Sequence, residues 1–349
     1  MPVRCLISLG ANLGDRSHAI EQALRRLDGH PMVHLVRASS LHETQPAGGP
    51  SGQSAYLNAA AVLQTSLPPA ELLALLMQLE AELGRVREVR WGPRPLDLDL
   101  LLYGDAVLKE PALVVPHPRM AWRRFVLVPA AEIAPDMPHP EIGWSVARML
   151  DHLNTTPYYL AIAGSIGAGK TALADRLSQR KALRRIDEEV DAGRLSAFYA
   201  NPASLAWSVE LEFLGQRSRL LAAEACSWRD GSQPKVSDFW FDQSLAFAQT
   251  WLPAELQSGY SARFEAVRRT VVRPRVVVLL QATGEELRQR VVQRGRACER
   301  GLTAEVLEQI AVAVDRQTRL PDAGPVLRIA SDNMDAAVDE VAAALDAMK

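Results

Sequence analysis

Apolar residues run through this chain in two rhythms. Val3 to Leu9, Val33 to Ser40 and Tyr56 to Thr65 have the length and apolar content of strands. Between them, Ile20, Leu24 and Leu27 share one face of a helix expected from about Arg16 to Leu27. Leu72, Leu73, Leu76, Leu79 and Leu83 stripe a second helix that opens at Pro68-Pro69, where proline is tolerated, and ends at Gly84. Leu96 to Tyr103 alternates and then becomes wholly apolar, the pattern of another strand. Two strand–helix–strand units of this kind suggest an α+β sandwich. Glu141 to Leu153 reads as a closing helix, and the polar, helix-breaking Asn154-Thr155-Thr156-Pro157 puts a boundary at residue 154. Beyond it, Tyr158 to Ala163 and Pro274 to Ala282 are buried-strand patterns. Leu173 and Leu177 mark an amphipathic helix, so residues 155–349 are expected to form an α/β domain around a parallel sheet.

Chemistry enters first at Arg90-Trp91-Gly92-Pro93-Arg94, a loop by its Gly-Pro pair. In the strand that follows, Asp97 and Asp99 lie two apart and so share a face, while Leu98 and Leu100 point the other way. Neighbouring carboxylates repel unless a cation sits between them, and hard, oxygen-seeking Mg²⁺ fits that place, arriving with substrate phosphates. An isolated Asp-x-Asp pair is usually a solvated face. Here an apolar strand lies behind it and Arg85, Arg87, Arg90 and Arg94 precede it, which suits a metal-bound polyphosphate better than a purely structural ion-pair set. A second loop, Thr44 to Gly52, is long and rich in Gly and Pro, and is expected to be functional.

Composition narrows the class. The chain has 349 residues, 48% of them hydrophobic and 23% charged, enough for two domains with proper cores. A formal net charge of −2 argues against non-specific nucleic-acid binding. Cys5, Cys226 and Cys298 are scattered and form no CxxC pattern, so neither a zinc site nor a disulfide framework is indicated, and a reducing cytoplasm fits. No signal peptide is visible, and the apolar runs are too short to span a bilayer.

The Arg-Trp-Gly-Pro-Arg loop followed by Leu-Asp-Leu-Asp resembles the signature of 6-hydroxymethyl-7,8-dihydropterin pyrophosphokinase, over about residues 3–150. The resemblance implies a ferredoxin-like α+β fold. It also implies a pterin held between Tyr56 and Phe125, with Asn58 and the loop around Thr44 on its edge. Glu80, Arg85, Arg87, Arg90, Trp91, Arg94, His117 and Arg123 match positions around ATP. Asp97 and Asp99 match the ligands of two Mg²⁺ ions, and Arg85 and Arg94 match mobile arginines that close over the triphosphate. The implied reaction moves the β,γ-pyrophosphoryl group of ATP to the pterin hydroxymethyl oxygen, with no residue required as general base. The loop from Arg87 to Trp91 is one residue shorter than is usual, and Met77 stands where a polar adenine contact is common.

In the second half, Gly164-Ser165-Ile166-Gly167-Ala168-Gly169-Lys170-Thr171 fits GxxxxGK[ST] between a strand and a helix, the context the motif needs. Gly164, Gly167 and Gly169 would let backbone N–H groups cradle phosphates, Lys170 would reach the β/γ-phosphates and Thr171 would hold one Mg²⁺. Three segments further on are Glu188-Glu189-Val190, Trp207 to Arg219, and Val236-Ser237-Asp238-Phe239-Trp240-Phe241-Asp242. With Arg294-Gly295-Arg296, they resemble bacterial deoxynucleoside kinases over about residues 158–349. Glu188 then matches the carboxylate that accepts the 5′-hydroxyl proton, with Glu189 as the alternative. Glu210, Arg219 and Asp242 match the substrate site, and Arg294 and Arg296 an arginine lid over ATP. Glu210 departs from the usual Gln. Taken as ionised it could only accept, which suits the paired donors of guanine and not adenine or cytosine. Ser237-Asp238-Phe239 replaces an Asp-Arg-Ser type motif, so one catalytic arginine is missing, and Cys298 stands near the place of a lid tyrosine. The expectation is a cytoplasmic bifunctional transferase taking a pterin, a deoxynucleoside (a purine by the Glu210 argument) and ATP, with no nucleic-acid or membrane partner. A homodimer through the kinase domain fits the same resemblance. The alternatives are a second half that only binds nucleotide or dimerises, or that phosphorylates another small molecule.

Overall fold

The computed structural model describes residues 1–50, 52–84, 91–225, 228 and 233–349. It divides into two compact units, Met1–Thr155 together with Ala342–Lys349, and Thr156–Val341.

In the first unit the chain runs β1 (Val3–Ala11), α1 (Arg16–Asp28), β2 (Val33–Ala38), β3 (His42–Thr44), β4 (Tyr56–Thr65), α2 (Pro69–Glu82) and β5 (Asp97–Tyr103). A hairpin of β6 (Leu108–Glu110) and β7 (Leu113–Val115) follows, then α3 (Arg124–Ile133) and α4 (Val146–Thr155). Asp15 caps α1 by accepting from the His18 N–H at 3.0 Å, which satisfies one of the free donors of a first turn. The sheet order is β2-β4-β1-β5, with β3 beside β4, and every pairing is antiparallel. Alternate residues of β1 and β4, among them Ile7, Leu9, Ala61 and Leu63, pack against Ile20 and Leu27 of α1 and Leu72 and Leu76 of α2. The expected α+β sandwich is therefore present. The register also matters: Gly10 of β1 faces both Asn58 of β4 and Asp97 of β5. That places two of the expected site residues in one row across the sheet. The closing helix expected from Glu141 begins only at Val146. Gly143, at φ +71°, donates its N–H to the His139 carbonyl, so these residues form a turn and not a helical lead-in.

In the second unit β8 (Tyr159–Ala163), α5 (Lys170–Lys181) and β9 (Arg184–Ile186) are followed by α6 (Ala192–Ala200), α7 (Pro202–Leu220) and β10 (Lys235–Ser237). Then come α8 (Gln243–Trp251), α9 (Ala254–Arg268), β11 (Val276–Gln281), α10 (Gly284–Arg294), α11 (Ala304–Gln317), β12 (Val326–Ala330) and α12 (Met334–Ala347), of which the residues up to Val341 belong to this unit. The sheet order is β12-β11-β8-β10-β9, parallel throughout. β8 is buried along its whole length, as a strand covered on both faces must be. Tyr159, Ala161 and Ala163 of β8 and Val277 and Leu279 of β11 join Val209 and Leu214 of α7 and Ala246 of α8 in one core. Since β8 is the first strand in sequence and lies inside the sheet, the chain leaves it in both directions. The carboxyl end of such a strand is where an open α/β sheet offers a crevice.

Candidate active sites

Each unit has its own cluster of chemically active side chains. In the first, a cleft of about 220 Å³ is lined by Gly10, Thr44, Tyr56, Asn58, Trp91, Arg94, Asp97, Asp99, His117, Arg119, Arg123 and Phe125. Its floor is the row across the sheet. Asn58 is buried, and its amide donates to Thr44 Oγ1 at 2.8 Å. That contact orients a side chain aimed at the cleft from the middle of β4. The Tyr56 ring enters from the same strand and the Phe125 ring from α3, so the two expected aromatics line one cavity.

Asp97 and Asp99 stand on one face of β5, each partly exposed. Cations hold both: Arg94 Nη1 lies 2.8 Å from Asp97 Oδ1, and Arg123 Nη1 lies 3.4 Å from Asp99 Oδ2. Asn12, which is buried, ties the arginine loop to the sheet. Its Oδ1 accepts the Arg94 N–H at 2.7 Å, and its own N–H donates to the Arg94 carbonyl at 3.1 Å. The His117 ring is neutral. Burial pulls its pKa down to about 3, with Arg123 and Arg119 pushing the same way. Its Nδ1 accepts the Arg119 N–H at 3.2 Å, so the proton sits on Nε2, 3.8 Å from Asp99 Oδ2.

Glu80, expected near ATP, has a structural contact as well. It is buried in α2, and its Oε1 accepts the N–H of Leu98 at 2.7 Å. It therefore fixes the backbone between the two aspartates. Arg85, Arg87 and Arg90 lie outside the described residues. Two contributors were not singled out from sequence, Asn12 and Arg119. A polar residue in the turn after β1 and the first arginine downstream of the aspartates were the available signals. The donor set suits Mg²⁺. Among the described residues no three metal-ligating side chains gather, and a pair of carboxylates sharing a cation with phosphate oxygens and water is how that ion is usually held.

In the second unit the phosphate loop joins β8 to α5. Gly164, Gly167 and Gly169 take φ of +144°, +83° and +94°, backbone that side chains resist. A Cβ on Gly164 would come 2.9 Å from the Leu280 carbonyl oxygen, and one on Gly167 would come 2.9 Å from that of Leu287. Lys170 folds over this loop, donating to the carbonyls of Gly164 and Ser165 at 3.0 and 2.8 Å. Desolvation brings its pKa down to about 8, against the pull of Asp238 and Glu188. Thr171 Oγ1 donates to Asp238 Oδ2 at 2.6 Å. Asp238 directly follows β10, the neighbour of β8, so a hydroxyl and a carboxylate meet where a cation would bridge to phosphates. Arg185 reaches Asp175, Asp187 and Asp238 from the middle of β9. Asp238 was noted from sequence only as part of the Ser237-Asp238-Phe239 segment and given no role, and Arg185 was not singled out, because strands of three residues give no periodic signal.

Glu188 follows β9 and is largely buried, while Glu189 is exposed. The Glu188 carboxylate is gripped by Arg217, with Nε 2.5 Å from Oε1 and Nη2 3.3 Å from Oε2. The third arm, Nη1, donates to Ser244 Oγ at 2.8 Å. Arg217 is thus the arginine of this site. Arg219, the expected one, is exposed, because residues two apart on a helix face different ways. Asp242 is likewise corrected. It is buried with its oxygens on Arg268 and Arg273, an ion-pair anchor, and the group two residues on, Ser244, meets Arg217. Glu210 is buried on the same helix as Arg217. Burial raises its pKa to about 8 despite Arg217, and Glu188 pushes the same way. Burial thus works against the ionised form on which the guanine expectation rests. Arg294 and Arg296 are both held by the buried Glu299, which the sequence reading did not single out.

Two family models match the chain. One is 7,8-dihydro-6-hydroxymethylpterin-pyrophosphokinase, over residues 6–135, and the other is deoxynucleoside kinase, over residues 160–344. Among curated proteins, the 2-amino-4-hydroxy-6-hydroxymethyldihydropteridine pyrophosphokinase of Bacillus subtilis (strain 168) is 50% identical over 127 residues, covering 36% of this chain and 75% of that one. Its namesake from Pseudomonas aeruginosa is 44% identical over 138 residues, 40% of this chain and 85% of the relative. Among solved structures, a deoxyadenosine kinase from M. mycoides with bound dATP aligns with a TM-score of 0.47 at 14% identity, covering 52% of this chain and 96% of that one.

Proposed function

From a chain that belongs to the hydroxymethyldihydropterin pyrophosphokinase family through its first unit and to the deoxynucleoside kinase family through its second, we propose a bifunctional ATP-dependent transferase. The first activity is pyrophosphorylation of 6-hydroxymethyl-7,8-dihydropterin, a step of folate biosynthesis. The second is phosphorylation of a deoxynucleoside at its 5′-hydroxyl.

In the first site the pterin slots between Tyr56 and Phe125, with its polar edge on Asn58. Its hydroxymethyl oxygen attacks the β-phosphorus of ATP. The bond from that phosphorus to the α,β-bridging oxygen breaks, AMP leaves, and the hydroxyl proton passes to solvent. Asp97 and Asp99 are the residues that would hold Mg²⁺, which supplies charge to the triphosphate. Arg94 and Arg123, now on those carboxylates, are placed to turn to the phosphates, and neutral His117 offers its Nε2 proton as a donor. Positioning and preorganised charge carry the rate.

In the second site the loop glycines and Lys170 would clasp the β- and γ-phosphates, and Thr171 with Asp238 would hold Mg²⁺. The 5′-hydroxyl attacks the γ-phosphorus, ADP leaves, and Glu188 takes the proton. The convergence of Lys170, Thr171 and Asp238 at the carboxyl ends of adjacent strands carries this reading. A second reading, binding without transfer, is favoured by one contact: Arg217 occupies both oxygens of Glu188. A carboxylate with both oxygens so occupied is less free to meet a substrate hydroxyl.

The two products separate the activities, since the pterin reaction releases AMP and the nucleoside reaction ADP. Intact protein with ATP and Mg²⁺ should yield AMP only with the pterin and ADP only with a deoxynucleoside. Absence of nucleoside-dependent ADP across the four deoxynucleosides would reduce the second unit to a binding module.

A further inference from the structure

One guanidinium in the second unit sits among three carboxylates. Arg185 is the middle residue of β9, the edge strand of the sheet. Its neighbour Ile186 packs against the core of the unit, so Arg185 points to the opposite face, where it meets α5. Nη1 reaches Asp175 of that helix, with the Thr171 carbonyl at 3.4 Å, and Nη2 reaches Asp187. Nη2 also lies 3.7 Å from Asp238 Oδ2, the oxygen that accepts the Thr171 hydroxyl. Nε is buried without a hydrogen-bond partner, so charge, and not a completed set of hydrogen bonds, holds the group there.

The three pairs are unequal. Asp175 and Asp187 are 55% and 57% exposed, whereas Arg185 and Asp238 are each 17% exposed. Water screens the first two pairs far more than the third. The shielded pair is also the longest. At 3.7 Å the attraction persists but no hydrogen bond forms, so Arg185 offsets the charge of Asp238 and leaves its lone pairs to Thr171. The segment Ser237-Asp238-Phe239 has no arginine of its own, and the cation beside its carboxylate comes from the neighbouring strand.

We infer that Arg185 is the resident cation of the Asp238 carboxylate, a positioning residue that makes the divalent ion enter with ATP and not ahead of it. The inference rests on the deoxynucleoside kinase reading above and deepens it. Three elements must meet for transfer: α5 with Lys170 and Thr171, the segment after β9 with Glu188, and the segment after β10 with Asp238. Arg185 touches all three, through Asp175, Asp187 and Asp238. Its charge keeps a free divalent ion from the carboxylates before nucleotide arrives, and its span keeps Asp238 and Glu188 in one geometry with the phosphate loop. A lysine would carry the charge but not the span, because an ammonium lacks the planar fork.

The test uses Mn²⁺, an ion of the same oxygen preference as Mg²⁺, followed by its paramagnetic resonance signal. All proteins carry Asp97→Ala, which breaks the carboxylate pair of the first unit. Without nucleotide, Arg185→Met should bind Mn²⁺ at least about tenfold more tightly than its parent. Adding Asp238→Asn should remove that gain. Arg185→Lys should bind no more tightly than the parent. In nucleoside-dependent ADP release, kcat should fall about tenfold in Arg185→Met with KM for the nucleoside unchanged, and Arg185→Lys should recover part of it. Binding of Mn²⁺ to Arg185→Met no tighter than to the parent overturns the inference, as does full kcat in either variant. If Arg185→Met fails to fold, Arg185→Lys decides: reduced kcat with Mn²⁺ still excluded supports the inference, and full kcat overturns it. No turnover of any nucleoside by the parent overturns the kinase reading, and the Mn²⁺ comparison then decides on Arg185 alone.

Discussion

Lys170 lies on the carbonyls of its own loop, and desolvation brings its ammonium down to about 8. The charged form therefore persists below that pH and is lost above it. We expect kcat/KM for ATP at the nucleoside site to decline as pH rises through about 8, because that parameter reports the free enzyme. A profile flat to pH 10 would exclude Lys170 as the titrating group. His117 behaves oppositely to a switch. With burial holding its pKa down at about 3, it stays neutral across the working range. Its ring ¹H resonances should not move between about pH 5 and 8, where an unperturbed histidine titrates. The side chains that sequence misassigned are errors of phase. Arg217 and Arg219 are equally basic, and nothing local says which side of α7 faces Glu188. Ser244 and Asp242 are both buried, and the turn after β10 fixes which of them meets Arg217. The ionisation of Glu210 was out of reach, because it depends on which carboxylate a distant arginine chooses.

At the scale of elements, β5 is held as much by a side chain as by its neighbours. Glu80 accepts the Leu98 N–H at 2.7 Å from the second helix, so Glu80→Ala leaves a buried donor unpaired. We expect a loss of about 1–3 kcal/mol in the stability of the first unit, read as a lower Tm. Pyrophosphokinase turnover should fall with it, as the aspartates lose their registration. Glu80→Gln keeps an acceptor and should recover most of both. An unchanged Tm in Glu80→Ala would show that the N–H finds another partner. Strands and helices with strong periodicity were legible along the chain, β4 to the residue and α1 within one. The start of α4 was not. There the apolar spacing runs on through Gly143, whose positive φ ends helical geometry whatever its neighbours prefer. The phosphate loop was readable because its chemistry is contiguous, whereas the pterin cleft joins residues from six segments, and only the family resemblance linked them.

For the molecule as a whole, each unit carries its own core and its own site. Asp97→Ala should abolish AMP release with the pterin and spare ADP release with a nucleoside. Lys170→Ala should cut the latter about a hundredfold or more and spare the former. An equal mixture of the two variants should then show both activities at about half strength, and loss of both in either variant would argue that the sites depend on one another. The sheet of the second unit has a further consequence, for how the chain is made. Its inner strand β8 is apolar throughout and is the first of its sheet to leave the ribosome, yet it pairs with β10 and β11, which are translated much later. Until those strands emerge, Tyr159–Ala163 is an uncovered hydrophobic edge on a nascent chain. Slower elongation between α5 and β11 prolongs that exposure, so the yield of soluble protein should depend on codon choice and on holdase chaperones over this stretch more than over any other.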